Sequence, residues 1–325
     1  MARYFRQKKT RKKYYGGTAV RKKKKKKTKK QKQKKNKRKR NNSKKAKFNK
    51  DSCSPVKDKG ELMKFTCYTK DALKKLKNLW NARHPDIKIK TNNPKKIWEK
   101  LKQNMGSTCN RESCWLKQKW LKQGMVEKLE DNFATPQPET WKKNKQEWLN
   151  SLDINSVMKQ FENKHSDFEF LGPSPIDFDD HEMYGECVWE ELCKFQLAEK
   201  IKEKKRKIGI IFNLDTHDKP GSHWVAMFVN IDKGEIYYFD SYGDKTPIRI
   251  KKLAKRIQEQ SNKLGKQFVF HENKVRHQYS NSECGMYCLY FIIKLIENKM
   301  YKNLIKKKIP DKEMIRLRNI YFNKV

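Results

Sequence analysis

Gln278-Tyr279-Ser280-Asn281-Ser282-Glu283-Cys284-Gly285-Met286-Tyr287 runs from a polar loop into a stretch that stays apolar almost to Glu297. Ser282 is a residue type that caps helices, so a helix is expected over 282–297 with Cys284 in its first turn. A helix apolar almost all round belongs in the centre of a domain. The unpaired amides and dipole of a first helical turn favour a thiolate, which makes Cys284 a candidate nucleophile. Gly285 beside it is expected to let a substrate backbone approach closely. An isolated cysteine is more often a packed core residue, so the helix alone does not decide between these readings.

Its potential partners lie upstream. His223 precedes Trp224-Val225-Ala226-Met227-Phe228-Val229, a β-branched and aromatic run, and so sits at the mouth of a strand. Asp240 closes the next run, Ile236-Tyr237-Tyr238-Phe239, after an Asp-Lys-Gly turn. Two antiparallel strands joined by that turn bring His223 and Asp240 to one sheet edge. A carboxylate there can fix the tautomer of a histidine base and stabilise its charged form. Gln278, six residues before Cys284, supplies an amide donor that can act with the Cys284 backbone N–H on a developing oxyanion. Cys284, His223, Asp240 and Gln278 together point to cysteine hydrolase chemistry.

The remaining pattern frames these residues. Helical spacing is expected over 70–80, 94–104 (with Asn93 and Pro94 as a start), 113–129, 153–163, 188–204 and 248–264. Strands are expected over 208–214, 224–231, 235–239 and 267–271. Helices first, then strands flanked by helices, describe an α+β fold. Ala134-Thr135-Pro136-Gln137-Pro138 breaks the chain between two regions. The expected organisation is a polybasic tail over 1–55, a helical accessory lobe over 56–138 and a catalytic core over 139–325.

The formal charge is +43 over 325 residues, and residues 1–50 carry 27 Lys or Arg with no Asp or Glu. A segment so charged and so poor in apolar side chains cannot offset the entropy of folding and is expected to be disordered. Its natural attraction is to a polyanion, so DNA is an expected partner of residues 1–50; a nuclear-import signal and a solubilising tail are the other readings. No run of eighteen apolar residues and no signal-peptide core is present, so neither a membrane nor export is expected. Eight cysteines could pair arithmetically, but nothing marks an oxidising compartment, and reduced thiols are expected. Cys109/Cys114 and Cys187/Cys193 lack zinc spacing and a matching histidine pair, so no metal and no cofactor is expected. Cys288, one turn beyond Cys284, reads as core.

His223-Trp224, Asp240-Ser241, Gln278 and Glu283-Cys284-Gly285 resemble the SUMO-protease and adenovirus-protease superfamily of cysteine proteases. That family keeps His-Trp, Asp-Ser, then Gln, five residues and Cys-Gly. Trp148-Leu149-Asn150 with Ile154-Asn155 is similar to a second segment of SUMO proteases. The resemblance spans about 141–300. It implies a papain-like core with a central mixed sheet and a buried helix carrying the nucleophile. It also implies that Trp148 and Trp224 close a narrow channel over a substrate Gly-Gly tail. Two positions depart from the family: Ser151 replaces an acid that helps hold a ubiquitin-like body, and Glu283 replaces the commoner Asp. With the lysine-rich tail and helical lobe, the chain is most similar to the virion-maturation proteases of large DNA viruses, African swine fever virus among them.

The resemblance implies a cysteine endopeptidase that cuts viral structural or core polyproteins after Gly-Gly. Its expected place is the virion core and the host cytoplasm or viral factory, with the host nucleus as a further site. The alternatives are a deconjugating isopeptidase for SUMO or ubiquitin-like modifiers, and a basic packaging protein with a vestigial protease core. Gly16-Gly17-Thr18 in the tail is itself a Gly-Gly-X sequence, open to self-trimming or to use as a flexible linker.

Overall fold

Thr69 and Asn93 each begin a helix, their side chains accepting from the amides of Ala72 and Lys96. Helices α1 (Lys70–Arg83) and α2 (Pro94–Met105) follow, burying Leu73, Leu76 and Trp80 with Ile97, Leu101 and Met105 in a core of their own. The computed structural model describes residues 48–57, 60, 63–119, 121 and 123–324. The tail expected from its composition lies almost wholly outside them. The helix expected over 113–129 is interrupted: Ser113–Lys117 forms a 3₁₀ turn, and α3 starts only at Gln123 (Gln123–Glu130). Gln118 ends the turn in an extended conformation, its side chain donating to the Cys114 carbonyl at 3.2 Å.

The second region opens with α4 (Ser151–Lys164), started by a reciprocal cap between Asn150 and Asp153. Two short strands not anticipated from sequence, β1 (Phe168–Phe170) and β2 (Ser174–Pro175), both pair in parallel with β3 (Lys207–Asn213). Between them the helix expected near 188–204 is split into α5 (Glu190–Cys193) and α6 (Leu197–Lys202), because Lys194 leaves helical geometry and Phe195 turns into the core. Strands β4 (Trp224–Asn230) and β5 (Glu235–Phe239), helix α7 (Ile248–Lys263) and strand β6 (Val269–Glu272) come next. Helix α8 (Cys284–Ile296) follows, then α9 (Tyr301–Lys306) and α10 (Asp311–Tyr321).

The sheet runs β1-β3-β4-β5-β6, with β2 added along β3. β3, β4 and β5 are antiparallel, whereas β5 and β6 are parallel and need α7 as a crossover. Both faces are covered. Trp224, Ala226 and Phe228 of β4 pack toward α4 and α8, and Val225, Met227 and Val229 pack toward α7. All seven β4 residues are therefore buried, which is why the strand reads as one apolar run. Val225, Met227, Phe228 and Val229 each contribute about 1.5–3 kcal/mol by full burial. This is the central mixed sheet with a buried helix that the resemblance implies, and Cys284 opens that helix. Polar contacts join it to the helical region: Ser52 N–H donates to Asn323 Oδ1 at 2.9 Å, and Gln160 Nε2 donates to the Phe133 carbonyl at 3.0 Å.

The cysteines correct one expectation. Cys53–Cys67, Cys109–Cys114 and Cys187–Cys193 are disulfides, and only Cys284 and Cys288 are free. Composition supports reduced thiols by default, but the fold brings each pair, 14, 5 and 6 residues apart, into bonding range, and composition does not encode that proximity. Among the described residues no helix is long and apolar enough to cross a membrane.

Candidate active site

His223 sits one residue before β4, and carrying on the β4–β5 register (Ala226 opposite Phe239) brings it level with Tyr242. Its Nε2 is 2.8 Å from Asp240 Oδ1, and the two side chains are 12% and 2% exposed. Asp240 is itself fixed. Its amide donates to Asn273 Oδ1 and its carbonyl accepts from Asn273 Nδ2, each at 2.8 Å. Its Oδ1 also accepts from the Tyr242 amide at 2.9 Å. With Nε2 committed, Nδ1 is the ring nitrogen left for Cys284. Burial pulls the His223 pKa down, but hydrogen bonds to Asp240 and to Cys284 outweigh it and raise the value to about 9. His223 therefore keeps its proton through neutral pH.

Cys284 is the first residue of α8, buried and unbonded to other sulfur. The cap position belongs to Glu283 rather than to Ser282, and no side chain caps the helix. Ser282 bonds Glu283 instead, Oγ to Oε1 at 3.2 Å. The first amides of α8 thus stay available beside the Cys284 sulfur. Cys288 lies in the core, where burial pushes its thiol pKa well up.

Gln278 is fully buried and held by Ser241, which explains the Asp-Ser pairing in the sequence. Ser241 Oγ donates to Gln278 Oε1 at 2.7 Å, and the Ser241 carbonyl accepts from the Gln278 amide at 2.9 Å. The carboxamide oxygen is thereby anchored, which fixes Nε2 as the donor end. One Nε2 hydrogen goes to the Ser280 carbonyl at 2.6 Å, and Nε2 lies 3.5 Å from the Tyr242 hydroxyl.

Trp148 and Trp224 line one groove, together with Leu149, Asn213 and Gly221. Trp224 is buried and its Nε1 donates to the Leu149 carbonyl at 2.9 Å, whereas Trp148 is 43% exposed. Ser151 is the first residue of α4 and is exposed. Gly285 does not open onto this groove. A Cβ there would meet the Leu149 Cβ at 3.1 Å, so the glycine is a packing requirement between α8 and the Trp148–Asn150 loop. Among the described residues one cluster groups three metal-ligating side chains, His181, Cys187 and Cys193, and there the two sulfurs bond each other.

Three residues of the site escaped the sequence reading. Asn273 and Arg318 act through contacts 33 and 35 residues away, with no local pattern to mark them. Tyr242 adjoins Asp240 and could have been found by extending the strand register.

The profile of the Ulp1 protease family, C-terminal catalytic domain, matches residues 185–325. Over 239 residues the chain is 32% identical to a protein of Acanthamoeba polyphaga mimivirus that carries the name of a thiol protease, covering 73% of this chain and 76% of that relative. Over 232 residues it is 27% identical to a cysteine protease of African swine fever virus, covering 66% and 83%. The crystal structure of an African swine fever virus protease superposes with a TM-score of 0.59 over 84% of this chain and 96% of that one, at 22% identity, which establishes a shared fold.

Proposed function

The chain belongs to the Ulp1 protease family of cysteine peptidases, and we propose that it cuts polypeptides after Gly-Gly, in Gly-Gly-X sites. Its natural substrates on this reading are viral structural or core polyproteins processed during virion maturation. It acts in the virion core and in the host cytoplasm or viral factory. The observation that carries the reading is that Trp148 and Trp224 line one groove, with Trp224 directly after His223 in the chain, since a groove walled by indoles leaves little room for a side chain.

The chemistry follows from the site. Nδ1 of His223, which Asp240 orients and helps to keep charged, already holds its proton at neutral pH and pairs with Cys284 as the thiolate. The thiolate attacks the carbonyl of the second glycine. The Cys284 N–H and the second Nε2 hydrogen of Gln278 take the oxyanion, each such donor being worth about 10²–10³ in rate. His223 then protonates the leaving amine. Water, deprotonated by His223, hydrolyses the thioester.

A deconjugating isopeptidase is the second reading. It is favoured by African swine fever virus relatives that carry the name SUMO-1 cysteine protease, and Ser151 speaks against it. A fluorogenic Gly-Gly-X peptide tested beside a SUMO vinyl sulfone probe separates the two. Rapid peptide turnover with an unlabelled thiol supports the endopeptidase; efficient labelling of Cys284 supports the isopeptidase. The packaging-protein alternative is not retained, because the family is one of enzymes. The same assay with Cys284→Ala should read zero.

Residues 1–50 are proposed to bind DNA and concentrate the enzyme on a packaged genome. Such binding should weaken steeply with salt and disappear when the segment is deleted. Gly16-Gly17-Thr18 is proposed as a self-trimming site. Mature protein that still begins before Gly16 would exclude it.

A further inference from the structure

A ridge of alternating aromatic and cationic side chains flanks the catalytic pair, and none of its members lines the tryptophan groove. Tyr242 lies flat on His223, ring centroids 4.7 Å apart and planes 14° apart, and its hydroxyl faces Gln278 Nε2. The Arg276 guanidinium lies 5.1 Å from the Tyr242 ring and 4.9 Å from the Tyr279 ring. Lys308 Nζ lies 3.5 Å from the other aromatic centre, that of Tyr279. Arg276 Nε donates to the Gln278 carbonyl at 2.9 Å, which fixes the guanidinium and leaves its two Nη groups for a ligand.

Among the described residues neither Arg276 nor Lys308 has a carboxylate within ion-pair distance. Asp311, the acid bonded to the Tyr279 amide, is already used: Oδ2 accepts from the amides of Tyr279 and Ser280, and Oδ1 from the Tyr287 hydroxyl. Long cationic side chains ordinarily extend into water. Here two exposed cations are held against aromatic faces instead, beside the general acid. A side chain that touches both His223, the donor to the leaving amine, and Gln278, the oxyanion amide, borders the path of the departing strand. The acyl half of the substrate occupies the groove on the tryptophan side.

We propose that Arg276 and Lys308, mounted on Tyr242 and Tyr279, form a subsite that selects substrates with acidic residues shortly after the scissile bond. A guanidinium with both Nη groups free matches a carboxylate in two-pronged fashion, and Lys308 adds a second charge. The inference rests on the Gly-Gly reading above, because it assigns the glycines to the opposite side of Cys284.

Three substrates with the same Gly-Gly acyl half test it: one followed by Glu and Asp, one by Gln and Asn, and an aminocoumarin amide with no residue after the bond. The acidic peptide should show kcat/KM about tenfold above the neutral one at low salt, with the gap narrowing at about 0.5 M salt. Arg276→Gln with Lys308→Gln should erase the gap. Lys308→Gln, which removes the ammonium over the Tyr279 ring, should halve it or more while leaving coumarin release unchanged. Equal rates on the two peptides in the native protein would overturn the subsite, as would a preference that survives in the double variant. Failure of all three substrates would overturn the Gly-Gly reading and the subsite with it.

Discussion

Arg318 Nε donates to Glu283 Oε2 at 2.9 Å, and both side chains are almost wholly buried. This ion pair ties α10 to the residue just before Cys284. Arg318 Nη2 also donates to the Ser282 carbonyl at 3.2 Å, and the guanidinium lies 4.6 Å from the Trp141 ring. The glutamate that departs from the family pattern therefore has a partner with the matching reach. Removing one member of a buried pair strands the other, at a cost of about 3–5 kcal/mol. Arg318→Met should lower stability by about that amount in urea unfolding and reduce kcat. Glu283→Asp, one methylene shorter, should lose about 1.5–3 kcal/mol. Unchanged midpoints in both variants would mean the pair does not hold the loop.

His223 predicts the shape of the pH profile. Its pKa of about 9 lies above the ordinary 6.5, so the charged ring persists below that value and is lost as pH rises through it. Activity should hold into the alkaline range and fall near pH 9. The stability contributed by the His223–Asp240 pair should be complete below about pH 6.5 and fade toward about pH 9. Asp240→Asn removes a charge that raises this pKa, so the alkaline limb should move to lower pH and kcat/KM should fall at least about 100-fold. Alkylation of Cys284 by iodoacetamide across pH measures the limb independently of substrate. An Asp240→Asn limb still near 9 would rule out the carboxylate as the cause.

Much of this site was legible in the sequence because it is built from local patterns. The runs on either side of the Asp-Lys-Gly turn fix the two strands, and strand ends place His223 and Asp240 together. The apolar helix after Ser282 fixes the depth of Cys284. Asn93 marks the start of α2 as expected, and the helices expected from 70 and 153 begin at Lys70 and Ser151. What escaped depends on contacts between distant segments. β1 and β2 are too short for a period-2 pattern and exist because β3 offers them an edge. Arg318, Asn273 and the three disulfides are likewise set by tertiary proximity. The breaks near 118 and 194 fall inside helical spacing: Gln118 and Lys194 leave helical geometry, and helices resume only at Gln123 and Leu197.

The two tryptophans should separate binding from folding. Trp148 is 43% exposed and touches the groove, so Trp148→Ala should leave the unfolding free energy within about 0.5 kcal/mol while raising KM at least about tenfold. Trp224 is buried and bonded to Leu149, so Trp224→Ala should cost about 3–5 kcal/mol in stability. Denaturant unfolding beside steady-state kinetics reads both. A Trp148→Ala enzyme with native KM would remove that residue from substrate binding.

Gly285 offers the sharpest separation between packing and substrate access. A methyl group there meets Leu149 Cβ at 3.1 Å and Cδ1 at 3.2 Å, closer than ordinary contact. Alanine would gain about 0.5–1 kcal/mol of helix propensity, but overpacking of this kind costs about 1–3 kcal/mol. The Leu149 side chain can yield only by shifting the backbone whose carbonyl accepts from Trp224 Nε1. Gly285→Ala should therefore lose stability on balance and also disturb the groove wall, raising KM. Truncating the neighbour removes the Cδ1 contact and leaves the Cβ one, so the stability penalty should shrink in a Leu149→Ala background. If the penalty is the same in both backgrounds, Leu149 is not what the glycine accommodates. A loss confined to kinetics, with stability intact, would return Gly285 to the substrate path.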